Sequence, residues 1–369
     1  MKVPYPYLDK QFKNPDPILR EIRKIAKKGD FTLGPKVAEF EEKIAKFQGV
    51  KHAVGVNSGT AGLFLIMKAL GIGPGDEVIT VPNSFLATAA IIELSGAKIV
   101  FVDVNDEYNM DPGKIEAAIT KKTKAILPVH WTGNPADMPS IVKIARKHKL
   151  YVIEDSAQAI DANIDGKGAG SFGTAAEFSL HPIKNFNVWG DGGFVTTGES
   201  WVADKIKLLR NHGLVGRDTC EIWGFNERLH TLQATVALTL MHTIKSISDR
   251  RIKVAAKYDK LLSDLPQITI PPRRKNVRQV YHVYILQAEN RDKLVQYLID
   301  NEIEAKIHYP TPLHFQPAAK KLGYKKGSFP VTEKQAEHIF SLPNNEYLTD
   351  KQVEYVSDKI HKFYTKISR

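Results

Sequence analysis

The chain has 369 residues, 43% of them hydrophobic and 25% charged, which suits a soluble globular protein of about two domains. Cys220 is its single cysteine, so no disulfide closes within the chain and a reducing compartment is expected. The net charge of +11 raises nucleic acid as a partner, but the basic residues are spread over helix faces in short clusters such as "KKTK", "RKHK" and "PPRRKNVR" without any nucleic-acid-binding motif, so no nucleic acid is expected; an anionic small substrate would also profit from the positive field.

The first residues, "MKVPYPYLDKQF", lack an apolar run followed by a small-residue cleavage site. The longest weakly polar stretch, "VITVPNSFLATAAII", contains Pro82 and Asn83 and is too short to cross a bilayer. A cytoplasmic protein with no membrane partner is the expectation.

Residues 14–28 and 35–47 read as helices. A strand–helix alternation follows, with strands at 52–56, 77–81, 98–103, 123–130 and 150–155 and helices at 59–70, 84–95, 111–120 and 139–148. "AAEFSL" and "GGFVTT" add two strands separated by one loop. Short apolar runs alternating with amphipathic helices predict an α/β fold, a mostly parallel central sheet with helices on both faces. One long helical pattern spans 230–262, then the proline-rich "LPQITIPPRRKN" crosses over to a strand at 280–287 and a helix at 290–301. We expect a large α/β domain over 1–245 and a smaller α+β domain over 246–369.

Ligands of open parallel sheets sit beyond the carboxyl ends of the strands. The residues there are Asn57-Ser58-Gly59-Thr60, Pro82-Asn83-Ser84-Phe85, Asp103, His130-Trp131, Asp155 and Ser179. Two glycine patterns are decoys. "GAGSFG" (168–173) matches a dinucleotide fingerprint but precedes a strand, and "GIGPGD" (71–76) follows a helix. No zinc-type His/Cys spacing is present, so no metal is expected.

"NSGT" ends a strand and opens a helix, where free amides can cradle a phosphate; plain capping by Ser58 is the alternative. Asp155 and Gln158 can each cap a turn or bind a ligand. Phe85 alone reads as a core residue or as a stacking platform. Lys184 lies in "FSLHPIKNFNVWGDGG" (178–193), between an apolar run and a glycine turn. Alone it reads as a solvated lysine. Together, a loop amine, a phosphate cradle and a strand-end carboxylate equip a site for pyridoxal 5'-phosphate, which needs an amine for its Schiff base and an anion against its pyridine nitrogen.

The segments "NSGTAGL" (57–63), "VIEDSAQAIDA" (152–162), "GSFGTAAEFSLHPIKNFNVWGDGGFV" (170–195), "WGFNERLHTLQA" (223–234), "IHYPTPLH" (307–314) and "FSLP" (340–343) resemble the DegT/DnrJ/EryC1/StrS sugar aminotransferases, in order and over nearly the whole chain. The resemblance implies fold type I of the pyridoxal-phosphate enzymes and a homodimer with shared active sites. It makes Lys184 the Schiff-base lysine and Asp155 the partner of the pyridine nitrogen. Gln158 would lie by the ring hydroxyl and Phe85 against the ring. Ser58, Gly59, Thr60 and Ser179 would hold the phosphate, and Asn226 would reach the phosphate of the neighbouring subunit. His308, Tyr309 and His314 are carried over as substrate residues.

The expected reaction moves an amino group from L-glutamate to a keto sugar, nucleotide-linked or a keto sugar acid. Trp189-Gly190-Asp191-Gly192-Gly193 stands where members commonly have Thr-Gly-Glu-Gly-Gly, and Asp161 where glycine is usual. These departures resemble the branch that makes 8-amino-3,8-dideoxy-manno-octulosonate (Kdo8N) for lipopolysaccharide from 8-dehydro-Kdo. The rivals are a dehydratase on the same fold, in which histidine replaces the lysine, and a non-catalytic regulatory protein.

Overall fold

The computed structural model describes residues 1–367. Its central sheet has seven strands: β1 (His52–Val56), β2 (Glu77–Thr80), β3 (Lys98–Phe101), β4 (Thr123–Ile126), β5 (Tyr151–Asp155), β6 (Ala175–Ser179) and β7 (Gly193–Thr197). Their order is β1-β7-β6-β5-β4-β2-β3. Only β7 runs against its neighbours β1 and β6; the other pairings are parallel. The strands are apolar on both faces, as a sheet covered on both sides requires. Val78, Ile79, Ala125, Ile126, Val152 and Ile153 are all buried.

The covering helices are α1 (Asp16–Lys28), α2 (Pro35–Gln48), α3 (Gly59–Ala69), α4 (Leu86–Ser95), α5 (Pro112–Ala118), α6 (Met138–His148), α7 (Ser200–Leu209) and α8 (Thr231–Leu240). Helix α3 is apolar almost all round because it lies between the sheet, α4 and α7. The long helix expected over 230–262 is two helices, α8 and α9 (Ile244–Leu262), joined by a tight turn at Met241–Thr243. There the Thr243 hydroxyl donates to the Leu240 carbonyl at 2.7 Å, one of the local side-chain bonds that compete with a helical ladder.

A second, antiparallel sheet joins β8 (Ile268–Thr269), β9 (Tyr284–Ala288) and β10 (Ile339–Leu342) in that order. Helices α9, α10 (Arg291–Asp300), α11 (Pro330–His338) and α12 (Asp350–Ile367) surround it. Tyr258, Tyr284, Leu294, Phe340 and Val353 form its core, and Val3 from the chain's first residues packs into it. The strand expected from 280 begins at Tyr284. The backbone before it is engaged elsewhere: Val280 donates to the Gly133 carbonyl at 3.0 Å and accepts from Asn185 Nδ2 at 3.0 Å. Among the described residues no helix is long and apolar enough to cross a membrane.

Candidate active site

The carboxyl end of β5 is anchored by Glu154, which is fully buried. It accepts the amide protons of Gly170, Phe172 and Gly173 at 2.8, 2.8 and 2.7 Å and lies 2.9 Å from His130 Nε2. Three amides of the "GAGSFG" decoy are therefore consumed by a carboxylate of the protein itself. That leaves Asp155, the next residue, at the strand end with its side chain on the opposite face, as strand alternation requires.

Asp155 is buried. Its Oδ2 accepts the Thr88 hydroxyl proton at 2.7 Å, and its Oδ1 accepts from the Ala157 amide at 3.3 Å. Gln158 Oε1 accepts from the Thr132 amide at 2.7 Å, which orients the carboxamide. Lys184 is half-buried in the loop between β6 and β7. Asn185 and Asn187 pin that loop: Asn185 Nδ2 donates to Val280 O, and Asn187 Nδ2 to Pro182 O at 2.6 Å. Tyr7 covers it from the amino-terminal segment, its hydroxyl 3.4 Å from the carbonyls of Ile183 and Lys184.

Ser58 caps α3, accepting the Ala61 amide proton at 3.1 Å. The capping alternative thus holds for its side chain, and it is compatible with a cradle, because the amides of the helix's first turn have no intrahelical acceptor. Gly193 of β7 presses against this turn: a Cβ there would stand 2.6 Å from Ser58 C and 2.7 Å from Gly59 N.

One cavity of about 330 Å³ gathers Ser58, Gly59, Thr60, Phe85, Asp155, Gln158, Ser179, Lys184, His308 and Tyr309. Two of the expected residues are not among its lining. His314 is buried elsewhere, its Nε2 3.1 Å from Glu333 Oε1 and its ring against Phe315 and Phe329. Asn226 is exposed. It lies beside Glu227, which lines an open depression of about 680 Å³ that shares Ser58, Thr60 and Asp191 with the cavity.

The cavity also contains residues that sequence reasoning passes over, Thr88 first among them. With the strand-end Ser84 it forms a hydroxyl relay of two 2.7 Å links that ends on Asp155. Arg251 and Lys306 bring positive charge. Glu177 faces the cavity from β6, two residues before Ser179 on the same strand face. Period-two alternation in "AAEFS" is the signal that finds it.

The electrostatics follow from burial. Burial holds the Lys184 ammonium below its usual range, partly offset by Glu177 and Asp155. Burial, with Lys306 and Lys184 nearby, brings the His308 imidazole down to about 4, so it is neutral at ordinary pH. Burial and the Asp155 charge push the Tyr309 phenol up to about 12. Among the described residues no cluster of His, Cys, Asp or Glu could hold a metal ion.

The chemistry of this donor set matches pyridoxal phosphate: a desolvated amine, a hydrogen-bonded strand-end carboxylate and a helix N-terminus flanked by the Ser179 hydroxyl, in one cavity.

A model of the DegT/DnrJ/EryC1/StrS aminotransferase family matches residues 14–361. The chain is 40% identical over 368 residues to the "Pleiotropic regulatory protein" of Geobacillus stearothermophilus, covering 99% of both chains. It is 40% identical over 349 residues to the UDP-N-acetyl-3-dehydro-alpha-D-glucosamine 3-aminotransferase of Acidithiobacillus ferrooxidans, covering 94% of both. The crystal structure of NtdA from Bacillus subtilis with bound cofactor PMP is similar at a TM-score of 0.92 and 30% identity, over 98% of this chain and 85% of that one. The chain belongs to the DegT/DnrJ/EryC1/StrS aminotransferase family.

Proposed function

We propose that the protein is a pyridoxal-phosphate-dependent sugar aminotransferase that takes its amino group from L-glutamate. The observation that carries the reading is the meeting of Lys184, Asp155 and the α3 N-terminus in one cavity. Pyridoxal phosphate, when bound, supplies an aldehyde that captures amines and a ring that accepts electrons.

The residues of this chain then have distinct tasks. The amides of Gly59 and Thr60, with the hydroxyls of Ser58 and Ser179, hold the phosphate. Asp155 gives the ring nitrogen an anionic partner, and the Thr88 hydroxyl and Ala157 amide keep that carboxylate in place. Gln158 has its amide nitrogen free for the ring hydroxyl because its oxygen is committed to Thr132. Phe85 lines the cavity and would pack against the ring. Lys184 Nζ, whose ammonium burial holds below its usual range, would supply the amine for the cofactor's aldehyde and, when free, would carry a proton to and from the donor's alpha carbon.

The acceptor we propose is an anionic keto sugar, either nucleotide-linked or a keto sugar acid of the 8-dehydro-Kdo kind. Arg251 and Lys306 in the cavity wall favour such a charge, with neutral His308 and Tyr309 beside them. The related Acidithiobacillus enzyme supports a keto sugar. A dehydratase would have histidine at position 184, and lysine stands there. A purely regulatory role, which the name of the Geobacillus relative raises, does not explain a complete amine–carboxylate site.

We further propose a homodimer in which the open depression beside Ser58 and Thr60 receives the partner, so that Asn226 reaches the partner's phosphate site. Two units, 1–245 and 246–369, are our proposed domains, resting on the two separate sheets; Val283, Ile285 and Ile339 of the second also pack into the core of the first. The test is spectroscopic: the cofactor-loaded protein should lose its visible absorbance with L-glutamate and regain it with a keto sugar. No change with any amino donor contradicts the reading.

A further inference from the structure

Glu177 is a buried carboxyl with no task in the reaction as described above. It is 1% exposed and pairs in register with Asp155 across the parallel strands β5 and β6. Neighbouring strands are about 4.8 Å apart, so the two acids stand side by side on the cavity face. Asp155 has two donors, whereas Glu177 Oε2 has no hydrogen-bond partner at all among the described residues. A buried polar atom of this kind needs a partner. Its direction is given by Gly59: a Cβ on that glycine would lie 2.5 Å from Glu177 Oε2 and 3.3 Å from Cδ. The free oxygen thus abuts the first turn of α3, where the phosphate cradle is.

The groups around Glu177 are few. Among the described residues, Asp155 faces it from β5, Lys184 from the β6–β7 loop and the Ala157 amide from the turn after β5; α3 and β7 bring Gly59, Gly62 and Val195 against it. Two adjacent buried carboxyls cannot both ionise at low cost, and the one with donors keeps the charge. Ionised, Glu177 would set a second negative charge beside a phosphate. Protonated, it is a donor in a place where an anion needs one.

We infer that Glu177 is a further residue of the cofactor site and works there as a neutral acid, donating its proton to the bound anion while Asp155 keeps the charge. This rests on the cofactor reading above. The electrostatics bear on the same acid: burial first, then the charge of Asp155 and a side-chain hydrogen bond with it, push the Glu177 carboxyl well above the usual carboxylate range, with Lys184 and the Ala157 amide opposing, so in the cofactor-free protein its proton is shared with Asp155. Glu177 is a positioning residue, since it acts by holding the cofactor.

The test is the affinity of the apo-protein for pyridoxamine 5'-phosphate, which forms no bond to Lys184, from about pH 6 to about pH 9 in the wild type and Glu177→Gln. The amide keeps a neutral donor at every pH. Above the titration point of Glu177, wild-type affinity should fall by up to about tenfold per pH unit relative to Glu177→Gln, while the two agree at low pH. Superimposable profiles without a protonated-carboxyl band in the infrared overturn the proposal, as does a Glu177→Gln protein that binds about tenfold more weakly at low pH. Infrared spectra of wild-type protein with isotope-labelled glutamate read the same acid without a variant. A protonated-carboxyl band at neutral pH is expected, and its absence overturns the proposal. If the wild type binds no pyridoxamine phosphate at any pH, it is the cofactor reading that fails.

Discussion

Thr88, on α4, donates its hydroxyl proton to Oδ2 of Asp155, at the end of β5, across 2.7 Å in the buried interior. This bond ties the loop after β2, through Ser84 and Thr88, to the carboxylate that we propose faces the cofactor ring. Hydrogen bonds to a charged group are worth about 1.5–3 kcal/mol.

Thr88→Val keeps the shape and removes the donor. Cofactor affinity should fall by about tenfold or more, with turnover falling alongside, and Thr88→Ser should restore both. Equilibrium titration with pyridoxal phosphate measures this. Equal affinity in Thr88→Val and wild type would show that Asp155 does not depend on the bond.

Asp155→Asn tests the carboxylate itself. The amide retains size and can still accept from Thr88, but it carries no charge. Turnover should drop by about 100-fold or more, as for other losses of preorganised charge in a desolvated site, with the melting temperature nearly unchanged. Near-normal turnover would remove Asp155 from the ring nitrogen.

Gly193→Ala probes the cradle from behind. The added methyl would meet the backbone of Ser58, Gly59 and Phe178 at 2.6, 2.7 and 2.8 Å, and backbone has little room to yield. Overpacking of this kind costs about 1–3 kcal/mol. A lower melting temperature together with weaker cofactor binding is expected; a loss of neither means that the first turn of α3 is not held where it is shown.

These sites differ in how far the sequence exposes them. Ser58, Asp155 and Ser179 are legible because each ends a short apolar strand, and the ends of parallel strands collect ligands. The type of most strands and helices follows from the same alternation, and the mostly parallel sheet is the one expected, with β7 as its antiparallel member. Thr88 is invisible, since its partner is 67 residues away and nothing local marks it. Glu177 was within reach of strand alternation but is masked by the apolar residues around it. His314 shares the segment "IHYPTPLH" with His308, yet the turn at Leu313–Phe315 sends its ring toward Glu333. Asn226 is exposed and lines neither the cavity nor the depression beside it.

The shared site can be tested by mixing. Lys184→Ala and Asn226→Asp should each be nearly inactive, the second because a carboxylate beside a phosphate is a like-charge clash. If sites are composite, a mixed dimer holds one site with both lesions and one with neither, and activity should return on subunit exchange. No recovery, with both single variants inactive, places Asn226 in its own subunit's site. An active Asn226→Asp protein removes the phosphate contact.

Everything turns on the amine that bonds the cofactor. Borohydride reduction of the cofactor-loaded protein, followed by digestion and mass measurement of the peptides, reads it directly. The account predicts a single reduced adduct on the peptide that contains Lys184, and none in Lys184→Ala. An adduct on another lysine, or a wild-type protein that takes up cofactor without forming one, would contradict it.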